Sequence, residues 1–453
     1  MAEPSALTLT DAARLVRECR LSPVELADAA LARIERLDGT VKAWVVIDRA
    51  GARSAAVELE REAREGHLRG PLHGVPIGIK DIFYTAGLAT EAGSKALAGF
   101  VPDYDAEAVV RLKRAGAIVL GKLATTEFAF ADPTVTRNPW NLEHTPGGSS
   151  SGSAAAVAAR MCHAAIGSQT LGSTIRPSAY CGVVGMKPTY GRISRYGMVP
   201  LAPSLDHVGI LARSVMDAAA MLAAMAGADP RDRSSLAVAA DDYIHAATHP
   251  SSAPRIALLP KAFDEHAAAE TRDAVAAAVA KLAAAGAQVE AVEAPPSFAD
   301  VANNARLELT AEAAEVHRER FAEKKDLYGP KIREFVERGL ATPAWQYIHA
   351  LEAQKRFRRE VDQLLTRFDV ILTPATPSVA PAGIESTGDP SFNTPWTLSG
   401  HPVIALPCAL APSGLPVSIQ LTGAALEEGR LLSIARWSEE VLAFDALPPA
   451  ALL

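Results

Sequence analysis

The chain has 453 residues, 49% of them hydrophobic and 21% charged, with a formal net charge of −7. That length and balance exclude a disordered segment and leave room for a substantial buried core, in one large domain or two intimate ones. The acidic balance gives no overall attraction to phosphate backbones or anionic lipid, so neither nucleic acid nor membrane is expected as a partner.

Cys19, Cys162, Cys181 and Cys408 lie far apart, with neither a CxxC pair nor a Cys/His metal spacing, so free thiols in a reducing compartment are expected. Met1-Ala2-Glu3-Pro4 begins no basic-then-apolar leader, and no apolar run approaches the ~18 residues of a membrane span. A cytoplasmic protein follows from these readings.

The first clear element is a helix. Ser22-Pro23-Val24-Glu25 supplies a capping hydroxyl, a proline at the first helical position and a reciprocal glutamate three residues on. The helix should run to about Asp38, with Leu26, Ala30, Ile34 and Leu37 as its buried stripe. From residue 72 the pattern changes to short apolar runs, Gly74–Ile79 and Ala117–Leu120, with helical spacing over 107–115 between them. Strands alternating with helices predict a layered α/β fold.

Residues 225–350 are rich in alanine and charge, with a helix over Thr271–Ala285 and a strand-like Gln288–Val292, and should form a helical cover. Asp369–Pro374 and Pro402–Pro407 return to buried strands, and no fixed-period repeat suggests a solenoid.

Chemistry concentrates in three places. Pro146-Gly147-Gly148-Ser149-Ser150-Ser151-Gly152-Ser153 runs directly into an apolar helix, which a flexible linker would not do. Gly167–Pro177 forms a second loop, whose successive N–H groups before Ser173 can aim at one point, as an oxyanion hole requires. Lys80 ends the first apolar run, where burial would lower its pKa and make it a competent base.

Together these residues resemble the amidase signature family. Gly78-Ile79-Lys80-Asp81, Pro146–Ser150, the loop ending in Ser173, and Cys181-Gly182-Val183-Val184-Gly185-Met186-Lys187-Pro188-Thr189 occur in the family's order. Ser173 follows Ser149 by 24 positions, which also looks like the family's spacing. The resemblance is strong over 70–215, weak over 225–350 and clear again in Phe392–Leu421.

What the resemblance implies is specific. The fold would be a mixed, twisted central sheet covered by helices on both faces. A single domain would span 1–453, with a helical segment at 1–68, the signature core at 69–215, the cover at 225–350 and the rest of the core at 365–437. Ser173 would be the nucleophile, Ser149 the bridging serine near a cis peptide, and Lys80 the ultimate base. Backbone N–H groups of Thr170, Leu171, Gly172 and Ser173 would form the oxyanion hole. Ala129 would offer its carbonyl to the substrate N–H, with Phe130 and Trp396 as apolar walls. No metal and no cofactor is called for.

The family often shows Asp-Thr-Gly-Gly-Ser-Ile-Arg, whereas this chain has Gln169-Thr170-Leu171-Gly172-Ser173-Thr174-Ile175-Arg176. Arg176 stands one place later than the family's arginine, so it stays outside the expected catalytic set. Gly148-Ser149-Ser150-Ser151-Gly152 formally fits a GxSxG elbow centred on Ser150, but the turn-like Asn138–Pro146 precedes it in place of a strand. Gly116–Lys122 nearly spells a P-loop, yet Leu123 occupies the magnesium-binding position.

The expected activity is hydrolysis of small neutral or aromatic amides through an acyl-enzyme, with carbamate (urethane) and ester side activity, as in broad-specificity, aryl acylamidase-like and urethanase-like members. The alternatives are the A-type subunit of a tRNA-dependent amidotransferase and a dedicated carbamate hydrolase. The partner expected is a small-molecule amide or carbamate, without nucleic acid or membrane; a homodimer is compatible.

Overall fold

A computed structural model describes residues 3–251 and 253–449; Met1 and Ala2, with which the leader reading begins, lie outside the described residues. Eleven strands form one mixed sheet: β1 (Trp44–Ile47), β2 (Pro76–Lys80), β3 (Ile118–Leu123), β4 (Ala164–Gln169), β5 (Val184–Lys187), β6 (His207–Ala212), β7 (Arg255–Leu258), β8 (Gln288–Ala291), β9 (Val370–Pro374), β10 (Val403–Leu410) and β11 (Pro416–Thr422). Their spatial order is β1-β3-β2-β4-β6-β5-β10-β11-β9-β7-β8. The mixed, helix-covered sheet is the fold expected.

Side chains alternate across the sheet. Ile166 and Ile210 join one apolar layer, while Ala165 and Leu211 join the layer on the opposite face. The helix Pro23–Val41 begins at the Ser22 capping box: Ser22 Oγ accepts from the N–H of Val24 at 2.9 Å, and Glu25 accepts from the N–H of Ser22 at 2.9 Å. The region 225–350 is not helical cover alone, because β7 and β8 extend the sheet at one edge. The short β7 pairs in parallel with β9, and this long-range partner gives it a strand conformation its four residues do not announce.

The topology fixes where the chemistry sits. Strands β2 and β4 are parallel neighbours, with Ile79 beside Ile166, so both strands leave the sheet at the same edge. Lys80 ends β2, and the loop carrying Ser173 follows β4. A crevice at the carboxyl ends of parallel strands is where an open α/β sheet places its ligands.

Candidate active site

The loop 146–150 packs against this edge because the helix that follows it, Ser151–Ala158, is buried throughout and built of small residues. A Cβ on Gly152 would lie 2.3 Å from the Ala43 carbonyl oxygen, so only glycine admits this approach. Ser151 Oγ donates to the Gly147 carbonyl at 2.6 Å and tightens the turn. The Gly148–Ser149 peptide bond is cis.

Lys80 is fully buried and its amine nitrogen meets three hydroxyls: Ser149 Oγ at 2.7 Å, Ser168 Oγ at 2.8 Å and Ser150 Oγ at 3.1 Å. Burial pushes its pKa well below the ordinary lysine value, opposed by the negative charge of Asp206. In its neutral form, which burial favours, the amine can accept a proton from the hydroxyl beside it. Ser150 is buried too and donates to the Ser168 carbonyl at 3.2 Å, which suits a scaffold residue and not an exposed nucleophile.

Ser173 lies across the crevice. The Ser150 N–H donates to the Ser173 carbonyl at 3.2 Å, tying the two serine loops together. With Thr170, Leu171 and Gly172, Ser173 lines a cavity of ≈ 220 Å³ that also meets Ala129, Phe130 and Arg176. Among the described residues, nothing accepts a hydrogen bond from the N–H groups of residues 170–173. Four donors left free beside a cavity can stabilise an oxygen that gains charge there.

Two residues the sequence did not single out hold this loop. Gln169 Oε1 accepts from the N–H groups of Thr174 at 2.9 Å and Ile175 at 3.0 Å, capping the helix Ile175–Cys181 from the end of β4. Its amide nitrogen donates to Thr397 Oγ1 at 2.9 Å, and Thr397 donates to the Leu171 carbonyl at 2.7 Å. Gln169 thus caps the helix with a side-chain carbonyl where the family often has a carboxylate. Ser168, on β4 beside β2, meets Lys80; a polar pair ending an apolar strand was the available signal.

Asp206 accepts from the N–H groups of Leu201 and Ala202, at 2.8 and 3.1 Å. It also takes the Thr170 hydroxyl at 2.7 Å, and burial pushes its pKa up to about 6.

Arg176 is buried beside the cavity and donates to the carbonyls of Gly148 at 2.7 Å and Gly388 at 2.8 Å and to Thr387 Oγ1 at 3.0 Å. Arg176 therefore holds the peptide that carries Ser149. Arg176→Met would strand these acceptors, at about 1–3 kcal/mol for each one left buried and unpaired. The temperature of thermal unfolding and kcat should both fall; unchanged values for both would contradict the role.

Trp396 does not stand where the resemblance put it. It is fully buried and stacks on Phe263 at 6.1 Å, and it is absent from the lining of the Ser173 cavity. A larger cavity of ≈ 790 Å³, floored by Phe263, Phe298 and Phe392, contains none of Lys80, Ser149 and Ser173.

A serine-bearing crevice with a buried amine and free backbone donors is the equipment of an amide-cleaving enzyme. Residues 25–432 match the family model described as Amidase, and the chain belongs to this amidase signature family, whose members act on C–N bonds in amides. It is 39% identical, over 98% of each sequence, to the A-type subunit of glutamyl-tRNA(Gln) amidotransferase from Anaeromyxobacter dehalogenans. Two solved structures share the fold. The peptide amidase of Stenotrophomonas maltophilia superposes with a TM-score of 0.84 at 33% identity, covering 98% of both chains. A protein from work on a vestigial protein complex and the origins of an s-triazine catabolic enzyme gives 0.91 at 30% identity, covering 97% of this chain and 100% of that one.

These relatives overturn one expectation. A small-molecule substrate with no nucleic-acid partner does not stand beside full-length similarity to subunits of an enzyme that acts on a tRNA. The physical reason is that net charge averages the whole surface, whereas a nucleic-acid contact needs only a local patch or another subunit. No helix among the described residues is long and apolar enough to cross a membrane.

Proposed function

We propose that this chain is the amide-cleaving A-type subunit of a tRNA-dependent amidotransferase, with Ser173 as nucleophile, Ser149 as proton bridge and Lys80 as base. The observation that carries this reading is the 39% identity to the Anaeromyxobacter amidotransferase component along almost the full length of both sequences. The contact between Lys80 and Ser149 supports the roles of those two.

In the proposed cycle, neutral Lys80 takes a proton from Ser149 as Ser149 takes one from Ser173, whose Oγ attacks the carbonyl carbon. The N–H groups of residues 170–173 hold the oxyanion. Collapse breaks the C–N bond, and the relay run backwards protonates the departing nitrogen. Water then attacks the acyl ester and restores Ser173. In an amidotransferase the ammonia released from a carboxamide donor such as glutamine attacks the side-chain carboxyl of the glutamyl group on tRNA once that carboxyl has been activated by a nucleoside triphosphate, forming the amide C–N bond as the activated oxygen leaves with the phosphate. Such work and the free thiols fit a cytoplasmic location.

A second reading, a free-standing hydrolase of small neutral or aromatic amides and carbamates, rests on the cavity. Phe130, Leu171, Leu201 and Leu309 line it, and no carboxylate does, so a free α-ammonium group would lack a counter-ion there. The experiment compares ammonia release from glutamine with cleavage of benzamide, a nitroanilide and an aryl carbamate by the purified chain. Each is run alone and with the other amidotransferase subunits plus glutamyl-tRNA. The amidotransferase reading predicts glutamine turnover raised at least tenfold by the additions. Efficient anilide or carbamate cleavage without them, and no response to them, would replace it with the hydrolase.

A further inference from the structure

The wall of the Ser173 cavity is built from a backbone that does not hold itself. Phe128 and Ala129 have φ of 49° and 59°, in the left-handed region that non-glycine residues seldom occupy. Such a conformation is unfavourable for a residue with a Cβ and persists where surrounding contacts over-determine it.

Those contacts come from the helical cover. Glu127 accepts from Ser94 Oγ at 2.6 Å and from the N–H of Gly329 at 2.8 Å. Five residues later, Asp132 accepts from the N–H groups of Lys331 at 3.2 Å and Ile332 at 2.8 Å. The helix Pro330–Leu340 thus has the N–H groups of its N-cap Gly329 and of Lys331 and Ile332 taken by two carboxylates of the wall segment, where the helix dipole also favours negative charge. The fit is close: a Cβ on Gly329 would lie 2.2 Å from Glu127 Oε2. Between the carboxylates, the Phe130 ring packs on Phe335 of the same helix at 4.3 Å.

Phe130 and Ala129 face the cavity from one side of this clamp, and Lys331 and Leu309 reach it from the cover. We infer that Glu127 and Asp132 are positioning residues that fasten the cover to the cavity wall, and that this clamp determines which acyl group fits beside Ser173. Neither touches the reacting atoms. The inference rests on the proposed role of Ser173 as nucleophile.

The test uses two sulfonyl fluorides that differ only in bulk, methanesulfonyl fluoride and phenylmethanesulfonyl fluoride. Ser173 Oγ forms the S–O bond, fluoride leaves with the S–F electrons, and the serine proton passes to the Ser149–Lys80 relay. Labelling of the full chain is followed by intact mass, separating KI from the rate of inactivation. Asp132→Ala and Glu127→Ala should raise KI for the phenyl reagent at least fivefold, leave its inactivation rate within twofold, and leave the methyl reagent unchanged. Asp132→Asn, which keeps an acceptor oxygen, should restore KI. Should the alanine variants fail to fold, Gly329→Ala displaces the Glu127 carboxylate and should give the same selective rise. Equal changes for both reagents, or a slower inactivation at unchanged KI, would overturn the clamp alone. An unaltered protein that neither reagent labels would remove the Ser173 reading and the clamp with it.

Discussion

Replacing Ser173 by alanine is expected to lower turnover by about 10⁵-fold or more, while the chain folds normally and still binds substrate. The size follows from the nature of the step: without Oγ no acyl-enzyme forms, and only the oxyanion donors and positioning remain, which in other serine hydrolases leave a small residue over the uncatalysed rate. Binding should survive because Ser173 is one of many residues lining the cavity. The check is kcat for any amide the chain cleaves, together with a direct binding measurement. Turnover within tenfold of the unaltered protein would place the nucleophile elsewhere, Ser150 being the first alternative.

Lys80→Met should cost several orders of magnitude in kcat, because coupled members of a relay fail together. Ser149→Ala should cost less, since a water molecule can bridge part of the gap. The pH dependence carries the sharper test. Burial lowers the Lys80 pKa in the folded chain, so the neutral, active base is lost as pH falls through that lowered value. The acid limb of kcat/KM should therefore lie well below the ordinary lysine range and be missing from the residual activity of Lys80→Met. The sign for stability is opposite to that of an ion-paired lysine. A depressed pKa means that the unfolded chain binds the extra proton, so the penalty is present below the unfolded lysine value and vanishes as pH rises past it. The stability of Lys80→Met relative to the unaltered protein should thus decline as pH rises towards that value. A difference independent of pH would show that Lys80 is not held neutral.

What the sequence made legible were features written in local order. The Ser22–Glu25 capping box, the apolar run ending in Lys80, and the small-residue loop into a buried helix each carry their cause within a few residues. The structure brings Lys80 and Ser149 into hydrogen-bond contact across 69 positions of chain, which motif order suggested and local spacing alone did not. Other parts depend on partners far away. Edge strand β7 exists because β9 lies beside it, and the bonds from Glu127 and Asp132 to the 329–332 segment reach across 202 and 199 positions. The resemblance implied Trp396 as a cavity wall, but it is fully buried and stacks on Phe263 in the core. Net charge said nothing about the company the chain keeps, and the amidotransferase relatives replaced that reading.

The most direct measurement is to trap the covalent intermediate. The purified protein is mixed with an activated amide or ester of a small aromatic acid, quenched in acid within milliseconds and mapped by peptide mass spectrometry. The account predicts one acyl group, on the peptide containing Ser173, absent from Ser173→Ala and accumulating more slowly in Lys80→Met. An acyl group on Ser149 or Ser150, or turnover of the same substrate with no acylated peptide at any time, would contradict it.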